Sequence, residues 1–132
     1  RNNKLNMKVQ MRSNDIFYGL TFDAPFFSFL HQSVYLILKE EYPDLELGIY
    51  HHFADNIHFY ERHFELAKKI KSEDDALESN INTLILEKPL VDYNGTDVFL
   101  TDEGLEFTQR LDQAQGSKEV NYKNILKDYF TI

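Results

Sequence analysis

The chain contains no cysteine. Disulfides, thiolate metal sites and a cysteine nucleophile are therefore excluded within these residues. Positive charge is also scarce: 14 Lys and Arg stand against 22 Asp and Glu, a formal charge of -8. That balance argues against a protein whose affinity comes from neutralising nucleic-acid phosphates, yet it leaves room for a local site that takes one small anion. No apolar run approaches the roughly 20 residues that span a bilayer, and no signal-peptide pattern opens the sequence. The expectation is a soluble, cytoplasmic protein with neither membrane nor nucleic acid as partner. Internal repeats and low-complexity tracts are absent too. The sequence begins Arg-Asn-Asn rather than with Met, as a trimmed piece of a longer chain would.

What is present fits one globular domain over residues 1–132, with 42% hydrophobic and 27% charged residues. Leu5, Met7, Val9 and Met11 alternate with Asn6, Lys8 and Gln10, the period of a half-buried strand, and Arg12 sits just past its end. From Ala24 to Glu41 the pattern becomes an apolar stripe through Phe26, Phe27, Leu30, Val34, Ile37 and Leu38, which predicts a long buried helix. Asp23 is placed to be its N-cap, and Pro25 is tolerable in the first turn. After the break at Tyr42-Pro43-Asp44, Leu47, Ile49, His51 and Phe53 are expected on one side of a second strand ending near Ala54. A short helix is expected over Tyr60 to Ile70, followed by a charged, solvated stretch from Lys71 to Ser79. Thr83–Leu86 and Val98–Thr101 read as strands flanking the turn signal "YNGTD", with a spacer too long for a tight hairpin. Gly104–Gln115 and Asn121–Phe130 read as helices, the second with an aromatic tail.

Polar residues collect where strands end, as they do in sites built on rigid elements. There the sequence becomes familiar. "MRSNDIFYGLTFD" resembles the thymidylate synthase family, whose pattern runs Arg-Ser-x-Asp, two or three apolar residues, Gly, an apolar residue, Pro, Phe, Asn. "ADNIHFYERH" resembles that family's later segment Gly-Asp-x-His-x-Tyr-x-x-His. The resemblance covers about Leu5 to Ile70. It implies an α+β, thymidylate synthase-like fold, a mixed sheet with a long buried helix, incomplete relative to the family.

The resemblance also implies roles, each of which has a plainer alternative. Arg12 and Ser13 match the residues that hold the nucleotide 5′-phosphate, a guanidinium fork and a hydroxyl suited to that anion; Arg12 is otherwise a surface ion pair. Asp15, Gly19 and Phe22 match positions along the groove of the cofactor, 5,10-methylenetetrahydrofolate, though Asp15 alone reads as a loop cap. His58 and Tyr60 match the pair that hydrogen-bonds the sugar 3′-hydroxyl, and their i, i+2 spacing puts both on one side of an extended segment. The alternative is a structural histidine and a core aromatic. A metal site is not expected at His51, His52, His58 and His63, which lack the His-Glu-x-x-His spacing.

Departures from the family pattern carry information. Thr21 replaces the proline, and Asp55-Asn56 replaces Gly-Asp. Asp23 stands where thymidylate synthases have the asparagine that reads the pyrimidine. An amide complements the N3–H donor and O4 acceptor of uracil, whereas cytosine offers an exocyclic amine that a carboxylate accepts. An aspartate here resembles the deoxycytidylate hydroxymethylases, which attach a one-carbon unit to dCMP; the alternative is a helix cap. The family's Pro-Cys-His segment, with the nucleophile that adds to carbon 6, is not in this chain, and neither is its Tyr-Asp-Pro-His. Two functions follow. One is the pyrimidine deoxynucleoside monophosphate-binding part of a folate-dependent transferase, a homodimer or completed by an upstream segment on the same or another chain. The other is a non-catalytic binding or assembly module.

Overall fold

The structure is a computed structural model that describes residues 2–72, 84–115 and 122–131. Thr83, Asn121 and residues 73–79 of the expected charged stretch lie outside the described residues.

Alternating apolar residues make β1 (Lys4–Met11), and the inward set Leu5, Met7, Val9 and Met11 is half-buried as the period-two pattern requires. β1 pairs in parallel with β3 (Glu46–Ala54). A parallel pair needs a crossover, and α1 (Thr21–Glu41) supplies it. His31, buried on α1, donates its Nε2–H to the Leu5 carbonyl at 2.7 Å and ties the helix to the strand. Phe22 and Phe26, near the start of α1, are exposed, so the helix is half-buried rather than enclosed.

The register of β1 and β3 contains an irregularity. Leu5 faces Leu47 but Met7 faces Tyr50, which leaves one extra residue in β3 at Gly48–Ile49. The Asn6 side chain fills the gap, accepting from the Ile49 amide at 2.8 Å, and a Cβ on Gly48 would sit 2.5 Å from the Leu5 carbonyl oxygen. A bulge reverses the side-chain parity beyond it. The expectation that Leu47, Ile49, His51 and Phe53 share one side is thus corrected. Leu47 faces inward, whereas Ile49, His51 and Phe53 are exposed and Tyr50, His52 and Ala54 take the inner positions.

The ladder resumes as β2 (Asn14–Asp15) against β4 (Ile57–His58), again parallel. A short 3-10 turn, Glu61–His63, leads into α2 (Phe64–Ser72). In the second half, β5 (Ile85–Leu86) pairs with β8 (Phe130–Thr131), while β6 (Val91–Tyr93) and β7 (Val98–Leu100) form an antiparallel hairpin. The hairpin corrects the reading of "YNGTD". Its partner strand is Val91–Tyr93, not Thr83–Leu86, and the turn is closed by Asn94 Oδ1 accepting from the Thr96 and Asp97 amides, with Gly95 at φ 96°.

The helices α3 (Asp102–Ala114) and α4 (Tyr122–Lys127) close the core. α4 stops before the aromatic tail, whose Tyr129 and Phe130 are buried with Leu86, Ala114 and Ile125. Phe29 of α1 meets Phe130 edge to face at 5.0 Å. Gln32 of α1 clips the backbone of the second half, donating to the Leu84 carbonyl and accepting from the Leu86 amide at 2.7 Å. The result is an α+β fold of parallel and antiparallel strand pairs around one long helix. No helix among the described residues is long and apolar enough to cross a membrane.

Candidate functional site

The parallel run of β1 with β3, and then of β2 with β4, brings two distant segments side by side. Asp55 donates its amide to the Met11 carbonyl at 3.0 Å and Asn14 donates to the Asn56 carbonyl at 2.9 Å. Arg12 and Ser13 therefore lie at the carboxyl end of β1, beside the start of β4. Arg12 is exposed and forms no ion pair among the described residues. Ser13 Oγ lies 3.3 Å from His58 Nδ1. Asp15 faces His58 across the β2–β4 pair, and the His58 ring stands perpendicular to Tyr60 at 5.5 Å.

Asp15 does act as a cap. The backbone coils immediately after it in a π-helical turn, Ile16–Leu20, and one Asp15 oxygen accepts from the amides of Phe17 and Tyr18 at 2.7 and 2.8 Å. This turn runs straight into α1, so helical backbone begins five residues before Thr21. Asp23 is consequently inside the first turn of α1 and is not its N-cap, a further correction to the sequence expectation. The local reason is that Ile16, Phe17 and Tyr18 accept helical geometry once Asp15 satisfies the amides of Phe17 and Tyr18.

The hydrogen bond from the Tyr18 amide, opposed by burial and assisted by the Phe17 amide and by His58 and His63, holds the Asp15 carboxyl below its ordinary value. Its other oxygen, Oδ2, is buried with no partner. Because the folded value is depressed, the stability Asp15 contributes is present above the ordinary aspartate range and is lost as pH falls through the lowered value. Asp15→Asn should flatten the acid limb of an unfolding-versus-pH profile below that range and leave the neutral region parallel to the parent. Superimposable acid limbs in urea titrations from pH 2 to 6 would refute it.

Asn14 and Asp23 both approach Gly19. A Cβ there would lie 2.1 Å from Asn14 Oδ1 and 3.5 Å from Asp23 Oδ2, so a glycine is needed for the close approach. Asn14 is 3% exposed, and its Nδ2 is 3.0 Å from His52 Nε2; His52 Nδ1 in turn contacts the Tyr50 hydroxyl. Burial, and secondly the negative charge of Asp23, push the Tyr50 phenol above its ordinary value. Phe22 is 69% exposed. His63 is buried among Phe17, Tyr18 and Tyr60 with its Nδ1 unpartnered. No group of three His, Asp or Glu is placed to hold a metal ion among the described residues.

Asn14 and Tyr50 have no role in the sequence reading, and His52 enters it only among the histidines weighed for a metal site. Asn14 fills the unspecified position of Arg-Ser-x-Asp, and the parity reversal at Gly48 hides the inward direction of the other two.

The sequence profile of the family described as thymidylate synthase matches residues 1–103. No curated protein and no solved structure gives a significant match to the chain.

Proposed function

The chain belongs to the thymidylate synthase family, and we propose that residues 12–23 and 50–60 form the nucleotide-binding part of a folate-dependent one-carbon transferase acting on a pyrimidine deoxynucleoside monophosphate. The observation that carries this reading is the juxtaposition of Ser13 with His58, 45 positions apart, at the shared end of two parallel strands. In this reading Arg12 and Ser13 hold the 5′-phosphate, His58 and Tyr60 bond the sugar hydroxyl, and Asp23 reads the base. Asp23 favours dCMP over dUMP because its carboxylate accepts from the cytosine amine and repels the uracil O4.

Methylenetetrahydrofolate would supply the one-carbon unit. The residues present fit such a ligand: Asp15 Oδ2 is a buried acceptor without a partner, and Phe22 offers an open aromatic face. Asp15 would accept from ring N–H groups and Phe22 would stack on the pterin or its side chain. The outer face of the β1–β3 pair, where Ile49 and Phe53 are exposed, is suited to a homodimer contact.

With no cysteine among the 132 residues, the thiolate that activates carbon 5 comes from another segment or chain, or else the domain binds without reacting. Tritium release from carbon 5 of labelled dCMP, with an added cysteine-bearing segment, separates these readings. Binding itself is tested by titration calorimetry. Arg12→Ala should weaken dCMP and dUMP alike by about tenfold or more, the scale of a charge-assisted hydrogen bond. Unchanged affinity for both would remove Arg12 from the phosphate site.

A further inference from the structure

Arg62 takes no part in the site described so far, yet three neighbours hold it in place. Its guanidinium lies over the Tyr18 ring at 5.3 Å and over the Tyr60 ring at 4.9 Å, and its Nε–H donates to His63 Nε2 at 3.4 Å. Arginine nitrogens only donate, so His63 Nε2 is the acceptor and the ring proton sits on Nδ1. His63 is itself buried and packed against Phe17, Tyr18 and Tyr60. The Arg62 side chain is exposed and forms no ion pair among the described residues, and Glu65, three positions on, is taken by Lys68 at 2.7 Å. In a chain with 22 Asp and Glu, a cation fixed by rings rather than by a carboxylate keeps its charge available to a ligand.

We propose that Arg62 is a second anion-binding position of the site, which takes a carboxylate or phosphate group of a bound ligand through its two terminal nitrogens. The guanidinium edge meets either group with two parallel hydrogen bonds. Because the stacking and the Nε–H bond already order the side chain, little conformational freedom is left to lose on binding. The place of Arg62 follows from a row of contacts. Ser13 Oγ lies 3.3 Å from His58 Nδ1, the His58 ring stands against Tyr60 at 5.5 Å, and the Tyr60 ring carries Arg62. The row begins next to Arg12, which also forms no ion pair, so an arginine stands at each end of the residues assigned to the sugar. In dCMP the only anion is the 5′-phosphate, which Arg12 takes. A second anion comes either from the nucleotide, as a 3′-phosphate, or from the cofactor, as the glutamyl carboxylates of tetrahydrofolate. Tyr18, the other ring against Arg62, belongs to the turn between Asp15 and Gly19, the residues assigned to the cofactor. Which ligand brings the anion rests on the function proposed above, whereas the anion position itself rests on the geometry of Arg62.

Arg62→Met removes the charge and keeps an apolar stem against the two rings. Parent and variant are titrated by calorimetry with two pairs of ligands: dCMP against 2′-deoxycytidine 3′,5′-bisphosphate, and tetrahydrofolate against its dimethyl ester. In one pair the member with the extra anion is expected to bind the parent about tenfold more tightly than its counterpart, the scale of a hydrogen bond to a charged group, and to lose that advantage in Arg62→Met. The pair that responds identifies the source of the anion, and dCMP and the ester bind both proteins alike. An advantage that survives in Arg62→Met, or no advantage in either pair, overturns the proposal. Equal weakening of all four ligands also overturns it, because Arg62 then only staples Tyr18 to Tyr60. If the parent binds none of the four, the proposed function fails, and the anion position is decided by the nitrogen-15 signal of the Arg62 Nε–H, assigned by its loss in Arg62→Met. A saturable shift of that signal with glutarate or inorganic phosphate supports the position, and no shift with either overturns it.

Discussion

Asp23→Asn should move nucleotide preference from dCMP towards dUMP by one to two orders of magnitude. A carboxylate facing the uracil O4 sets acceptor against acceptor, and a mismatched buried polar pair costs roughly 1–3 kcal/mol. An asparagine offers the donor that O4 requires. The structure sharpens this test because Asp23 is not the N-cap; Asp15 caps the turn that precedes α1. Substitution at Asp23 thus forfeits only the attraction between a charge and the first helical turn, roughly 0.3–1 kcal/mol. A large change in base preference with a small change in melting temperature is the expected pair of results. Calorimetry with both nucleotides, on parent and variant, provides the measurement. Equal binding of dCMP and dUMP by both proteins would leave Asp23 as no more than a charge at a helix start.

Phe130→Ala should destabilise the chain by about 3–5 kcal/mol, the range for emptying a buried aromatic site. Phe130 is 2% exposed and packs edge-on against Phe29 of α1 and Phe107 of α3. Its strand, β8, also completes the pair with β5. The deletion therefore loosens the second half of the chain from α1, the helix that carries Asp23. Urea denaturation should show a lower midpoint in a single transition, and Phe130→Leu should lose much less. A cost under about 1 kcal/mol would mean that the second half does not share a core with the first.

The first half of the fold was legible in the sequence because its signals are regular. Alternation from Leu5 to Met11 and the long apolar stripe of α1 each announce one element, and both are where the periods put them. Two features escaped. A single extra residue at Gly48 reverses every later side chain of β3, and no one-residue insertion is visible in a periodicity count. The start of α1 moved because Asp15, not Asp23, satisfies the free amides, and either aspartate is chemically able to do so. In the second half the strands are two or three residues long, too short to show a period, so Val91–Tyr93 and Phe130–Thr131 could be recognised only through their partners. For the site, the structure sets Ser13 beside His58 and pairs Asp15 with His58 across β2 and β4, while the roles of these residues rest on the motif resemblance; the inward direction of Tyr50 and His52 depends on the bulge and was invisible without it.

The parallel pairing of β1 with β3 has a kinetic meaning. Ser13 meets His58 only after the whole of α1 has crossed over and the strands have found their register. Contacts of such long sequence separation pay their loop-closure entropy before they return any stability, which slows folding. The juxtaposition of Ser13 with His58 therefore does not exist in any partly folded species lacking the β1–β3 pair.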